Sequence, residues 1–253
     1  MIANPVKSRR VWWSFDAAIH QDITTFSAVA RRRLRGEGAA AALGYAAHGR
    51  PGALDAVTDK AWVDYLTRVW MNTVETAGSH TAVVLGLGPQ GGLFQSAAAG
   101  YLKRNARGRG QMIADTSRKG IANAIDAGER FGDTIERMKR RIVTAVENAS
   151  GWRSATIGST EGHAAAGLGT FTAACQARGL VKIWVGPRAE RVTCDQHKMV
   201  RGQRRPIRDP FAVRNDYDDA GIADRMQYPG DGELGAQPAN VINCRCYLDF
   251  ERA

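Results

Sequence analysis

The chain has 253 residues and a formal net charge of +10, from 35 Lys+Arg against 25 Asp+Glu. With 44% hydrophobic and 24% charged residues it has the composition of a globular protein, one large domain or two small ones, which excludes a disordered or fibrous chain. The absence of any run of about 18 apolar residues excludes a transmembrane helix, and four cysteines are too few for a disulfide scaffold. The basic N-terminus, MIANPVKSRRVWW, lacks the apolar stretch and small-residue cleavage site of a secretory signal, so the cytoplasm of the producing cell is the expected place of synthesis.

From Trp12 to Leu34 the residues Phe15, Ile19, Ile23, Phe26, Val29 and Ala30 recur at intervals of three and four, predicting an amphipathic helix. The cluster Arg31-Arg32-Arg33-Leu34-Arg35, followed by Gly36, fits the end of that helix, where cations meet the macrodipole. An alanine-rich stretch, Ala39 to Ala47, is broken by Gly49-Arg50-Pro51-Gly52. A second helix is predicted from about Leu54 to Ala77, with Val57, Ala61, Tyr65, Leu66, Val69, Trp70 and Val74 on one stripe.

Thr81 to Phe94 reads TAVVLGLGPQGGLF, with Gly86, Gly88 and Gly91 at the spacing of a dinucleotide-binding fingerprint. That motif works after a strand, at the N-terminus of a helix. No βαβ pattern surrounds it, Pro89 sits inside the turn and no acid follows at about 20 residues, so a hinge or tight interhelical turn is the expectation. Residues 106–111 (ARGRGQ) read as a linker or exposed loop. Two helix patterns follow, Ile113 to Gly128 and Asp133 to Ala149, the second with Asp133 as N-cap. Trp152 to Arg178 reads as a further helix, rich enough in alanine and glycine to pack closely. Leu180 to Val185 alternates and stops at Gly186-Pro187, the signature of a strand, and a short strand from Cys246 to Phe250 closes the chain. The expected fold is α+β and mainly α: a helical N-terminal half, residues 1–108, and a C-terminal domain of helices plus a small β-sheet, residues 109–253.

A pI near 9.8 invites a nucleic-acid reading, yet the charge is unevenly spread. Residues 178–208 hold nine basic side chains against Glu190 and Asp195, whereas residues 209–253 hold nine acids against four arginines. Two such segments can neutralise one another. The clusters at 103–109 (KRNARGR) and Lys139-Arg140-Arg141 read as solvated faces or helix ends. No helix-turn-helix, finger or RNP-like pattern is present, which argues against sequence-specific recognition.

The cysteines concentrate the chemistry. Cys194-Asp195-Gln196-His197 and Cys244-Arg245-Cys246 give one C-x-x-H and one C-x-C, with 46 residues between His197 and Cys244. Thiolate and imidazole are the preferred ligands of a closed tetrahedral zinc site. Against this, C-x-C is tighter than the usual spacer. Three arrangements stay open: structural zinc on Cys194, His197, Cys244 and Cys246; a disulfide from Cys194 to Cys244 or Cys246; or packed free thiols with a hydrogen-bonded His197. A Cys–His nucleophile, or Asp195 with His197 in a metal-dependent nuclease, would be incomplete sets. His20, His48, His80 and His163 stand alone. Glu161, the one acid of its helix, is expected to pair with Arg153 or a basic residue of 178–208; the acid of an ADP-ribosyltransferase-like site is its alternative role.

The ordered series Trp152 to Glu161 (WRSATIGSTE), Gly179 to Trp184 (GLVKIW), Arg191 to Gly202 (RVTCDQHKMVRG), Pro206 to Phe211, Tyr228 to Asp231 and Pro238 to Cys246 (PANVINCRC) resembles the Mu F-like phage head morphogenesis family. It spans roughly residues 113–250, and Asn243-Cys244-Arg245-Cys246 is its most specific part. Ser159 and Arg201 stand where relatives often carry Arg and Leu, and many relatives have a cysteine at the place of His197. The resemblance implies a minor capsid protein of a tailed bacteriophage, assembled in the bacterial cytoplasm and packed inside the head near the portal vertex. It implies the portal protein as partner, with major capsid or scaffolding protein and non-specific contact with packaged DNA, no membrane, and no reaction. Residues 1–108 would then serve portal docking.

Overall fold

The computed structural model describes residues 6–186, 195–214 and 223–252. Four long helices come first: α1 (Val6–Asp55), α2 (Asp59–Val84), α3 (Leu93–Arg130) and α4 (Ile135–Ala174). Short elements follow: β1 (Leu180–Val185), α5 (Asp195–Val200), β2 (Arg204–Pro206), β3 (Phe211–Val213), β4 (Asp224–Met226), α6 (Pro238–Val241) and β5 (Tyr247–Arg252). The protein is mainly α with some β, as its sequence predicts. No helix among the described residues is long and apolar enough to cross a membrane.

The helices run further than their sequence patterns suggest. Arg31 to Arg35 do not end a helix: α1 continues through Gly36 and kinks only at Gly49, whose φ of 66° and ψ of −153° interrupt the helical backbone just before Pro51. Residues 106–111 are not a loop but lie inside α3, which therefore runs unbroken through residues 108 and 109. The patterns from Asp133 and from Trp152 are one 40-residue helix, α4. Its cap is Thr134, whose Oγ1 accepts from the Arg137 amide at 3.4 Å. Asp133 turns instead to Arg141, accepting from Nε at 2.7 Å.

The glycine-rich turn between α2 and α3 is an interhelical connection, as expected. Gly86 takes φ 69°, and Leu87 donates to the Ala82 carbonyl at 2.8 Å while Gly86 donates to Val83 at 3.1 Å. This is a Schellman closure, which needs a residue in the left-handed region, and glycine supplies it without steric cost. A helix rather than a strand leads into the turn, so the context of a dinucleotide fingerprint is missing.

By internal contacts the chain forms two compact units, and every long helix contributes to both. The first unit holds residues 1–23, 69–101 and 159–253. Here Ile19 and Ile23 of α1, Ala77 of α2 and Ala166 of α4 form one buried cluster. Trp70 of α2 stacks on Tyr101 of α3 with ring centroids 3.7 Å apart and donates its indole N–H to Glu161 of α4 at 2.9 Å.

The second unit holds residues 24–68 and 102–158. At its centre a buried polar network joins the four helices. Glu37 of α1 accepts from Trp62 Nε1 of α2 at 2.6 Å and from Ser117 Oγ of α3 at 2.9 Å, and Arg153 of α4 donates to the same Ser117 Oγ at 3.2 Å. Burial pushes the Glu37 carboxyl up and the Arg153 guanidinium down, and each offsets part of the other's desolvation. The expected pairing of Arg153 with Glu161 does not form. Eight residues apart on one helix, they are separated by about 12 Å of rise.

The sheet of the first unit has the order β2-β1-β5, both pairings antiparallel. Ile183 stands opposite Arg204, and Trp184 opposite Leu248. β3 and β4 form a separate antiparallel pair, with Phe211 opposite Met226.

Candidate metal centre

Trp184, near the end of β1, is fully buried, and the backbone around it brings distant residues together. On one side its amide donates to the Gln203 carbonyl at 3.1 Å, and its carbonyl accepts from Gly202 at 2.8 Å. That pins the turn after α5 and sets His197 edge-on to the indole, with ring centroids 5.4 Å apart at 65°. On the other side, β5 pairs with β1 and begins one residue after Cys246.

The C-x-C segment owes its geometry to Asn243. This residue holds φ 58°, and its amide donates to Thr160 Oγ1 at 3.0 Å, turning the chain out of α6. From there burial alternates: Cys244 and Cys246 are buried and Arg245 is exposed. In extended backbone, residues two apart share a face. Both thiols consequently meet the same imidazole.

His197 Nδ1 lies 3.6 Å from Cys244 Sγ and 3.6 Å from Cys246 Sγ, and the three ligand atoms all fall within 4.8 Å of one another. His197, Cys244 and Cys246 are 2%, 4% and 3% exposed. Hydrogen bonding with Cys244, reinforced by His197, draws the Cys246 thiol well below its ordinary range, against the burial that opposes ionisation. His197 Nε2 is buried without a hydrogen-bond partner among the described residues.

This donor set fits a metal ion. A tetrahedral zinc with bonds of about 2.3 Å to sulfur and 2.0 to 2.1 Å to nitrogen requires N···S edges of roughly 3.6 Å, which is the separation found. The buried His197/Cys244/Cys246 cluster could therefore bind a metal such as zinc. Cys244 and Cys246 are not bonded to each other. Cys194, the fourth predicted ligand, lies outside the described residues, as does the side chain of Asp195.

The other candidate residues lie elsewhere. Glu161 is buried with its carboxylate on the Trp70 indole. His163 Nδ1 lies 2.8 Å from the Ser159 carbonyl one helical turn back. Phe211, which packs against Trp184 with centroids 5.2 Å apart at 85°, is a neighbour of the centre that the sequence series included without marking it as a site residue. So is Lys182, fully buried on the same strand. The strand's period of two, which puts Lys182 and Trp184 on one face, was the available signal.

The chain matches no protein-family model, no curated protein and no solved structure.

Proposed function

We propose that this chain is a structural assembly protein, a minor head protein of a tailed phage that associates with the portal inside the capsid and assists head morphogenesis and DNA packaging or delivery. The observation that carries the reading is the convergence of the segments behind the family resemblance. Lys182-Ile183-Trp184, His197 and Asn243-Cys244-Arg245-Cys246 are far apart in sequence, yet Trp184 and His197 pack edge to face and His197 meets both thiols. The long helices would offer exposed faces for docking on a portal partner.

In this reading the centre is a structural zinc held by His197, Cys244 and Cys246, and the sequence nominates Cys194 for the fourth position. A buried zinc with protein ligands alone would brace the C-terminal elements rather than activate a water. The test of the assembly role is fractionation of disrupted particles. The chain should be recovered with the portal complex in a pull-down on tagged portal protein; recovery solely with the outer shell or the tail would overturn it.

A further inference from the structure

The positive charge is concentrated in the second unit. Its residues, 24–68 and 102–158, carry 19 Lys+Arg against 10 Asp+Glu, a net +9 of the chain's +10, and the first unit is left close to neutral. Within the second unit, a groove of about 440 Å³ runs beside the start of α4, lined by Arg137, Arg140, Arg141, Thr144 and Asn148 together with Asp133.

Local electrostatics do not explain these arginines. The first turn of a helix carries the positive end of the macrodipole, where cations such as Arg137 are disfavoured and anions stabilised, and the effect fades beyond it. α4 begins at Ile135 and still places Arg137, Lys139, Arg140 and Arg141 in its first two turns. Two of the four are offset: Lys139 binds Glu136 at 3.0 Å and Arg141 binds Asp133 at 2.7 Å. Among the described residues, Arg137 and Arg140 have no acidic partner, and both are exposed. A local arrangement that costs stability without internal compensation is the mark of a functional surface.

We infer that this groove binds the phosphate backbone of nucleic acid, with Arg137 and Arg140 on phosphates and Thr144 and Asn148 as hydrogen-bonding flanks. Arg, Thr and Asn side chains and helix N-termini are the donors that phosphates receive. Spaced three and then four residues apart, Arg137, Arg140, Thr144 and Asn148 follow one face of α4 for about 16 Å, enough to meet several consecutive phosphates of one strand. The lining is polar apart from Ala145, with the exposed Phe131 ring under Arg141 at its edge. Asp133 does not repel the ligand, since Arg141 neutralises it. The choice of DNA over RNA rests on the head-protein reading, but the phosphate site itself does not.

The test measures binding of the full-length protein to a labelled DNA duplex by fluorescence anisotropy across a salt series, with no portal present. Wild type should bind with a strong salt dependence. The double variant R137Q/R140Q should lose about tenfold or more in affinity near 0.1 M salt and flatten the salt slope by about two, one for each phosphate contact removed. The control K103Q/R107Q, from the basic cluster of α3, should change affinity less than threefold. Equal losses in both variants, or no duplex binding by wild type at low salt, would overturn the proposal. Equally tight binding of polyglutamate that depends on the same two arginines would assign the groove to an acidic polypeptide and overturn it too. Portal pull-down is a separate readout, so the site and the assembly role fail independently.

Discussion

Lys182 Nζ donates to the side-chain carbonyl of Gln227 at 2.7 Å and to its backbone carbonyl at 2.9 Å, while lying 4.9 Å from the Phe171 ring centroid and 5.0 Å from that of Phe211. A buried ammonium thus ties β1 to the segment just after β4. The same segment is anchored by Asp231, whose carboxylate accepts from the Gln227 amide at 2.8 Å and the Glu233 amide at 2.9 Å. Ring faces and carbonyls replace only part of the hydration a lysine loses.

That loss makes stability depend on pH. Burial lowers Lys182 from its ordinary 10.5 to about 8, although the charges of Cys175, Asp231 and Asp209 oppose the shift. Between these two values the unfolded chain holds a proton that the folded chain has released. Stability therefore rises with pH across the window from about 8 to 10.5, and below it the buried charge is a constant cost. The urea midpoint should increase from pH 7.5 to pH 10 in wild type more than in K182M, which has no ammonium to lose. Parallel responses of the two proteins would show that Lys182 titrates normally.

Close packing of α4 gives a prediction of opposite sign to helix propensity. At Gly169, a Cβ would sit within van der Waals radii of the Val74 carbonyl oxygen and 2.9 Å from the Gly78 amide nitrogen, both of them backbone atoms of α2. Gly120, on α3, has nothing within 4 Å of the same atom. Alanine in an open helical site gains about 0.5 to 1 kcal/mol over glycine, whereas overpacking costs about 1 to 3 kcal/mol. G120A should raise the urea midpoint and G169A should lower it. A G169A protein as stable as wild type would mean that α2 and α4 are not in contact there.

These positions also show what the sequence could disclose. Three- and four-residue periodicity revealed the long helices because their buried stripes repeat over many turns. Composition misled at residues 106–111, where glycines suggested a loop. Gly110 is in fact helical, and a Cβ there would come within 3.0 Å of Val63 Cγ2 on α2, so the missing side chain serves packing. β2, β3 and β4 have three residues each, too few for alternation to register. At the candidate metal centre the residue types were legible and the geometry was not. The short C-x-C spacer counted against a shared ligand site, but after the left-handed Asn243 burial alternates and both thiols meet the same imidazole. Arg153, one of the partners expected for Glu161, lies too far along α4 to reach it and joins the Glu37 network instead.

The centre itself yields the last prediction. If His197, Cys244 and Cys246 hold zinc, protein purified without chelator should contain close to one equivalent, and the metal's binding energy should add to folding. Removing it, or substituting C246S, should lower Tm by roughly 10 °C, equivalent to a few kcal/mol in a chain of this length. The alternative is a packed cluster of thiols around a hydrogen-bonded imidazole, for which chelation changes nothing and C246S costs only a weak hydrogen bond, about 1 kcal/mol. C194S separates the two further: it should release the metal if Cys194 completes the tetrahedron, and otherwise leave metal content and Tm unchanged. Metal content below about a tenth of an equivalent, together with a Tm indifferent to chelator, would dismiss zinc, because a site this buried, with both N···S edges already at tetrahedral spacing, would retain its ion through purification.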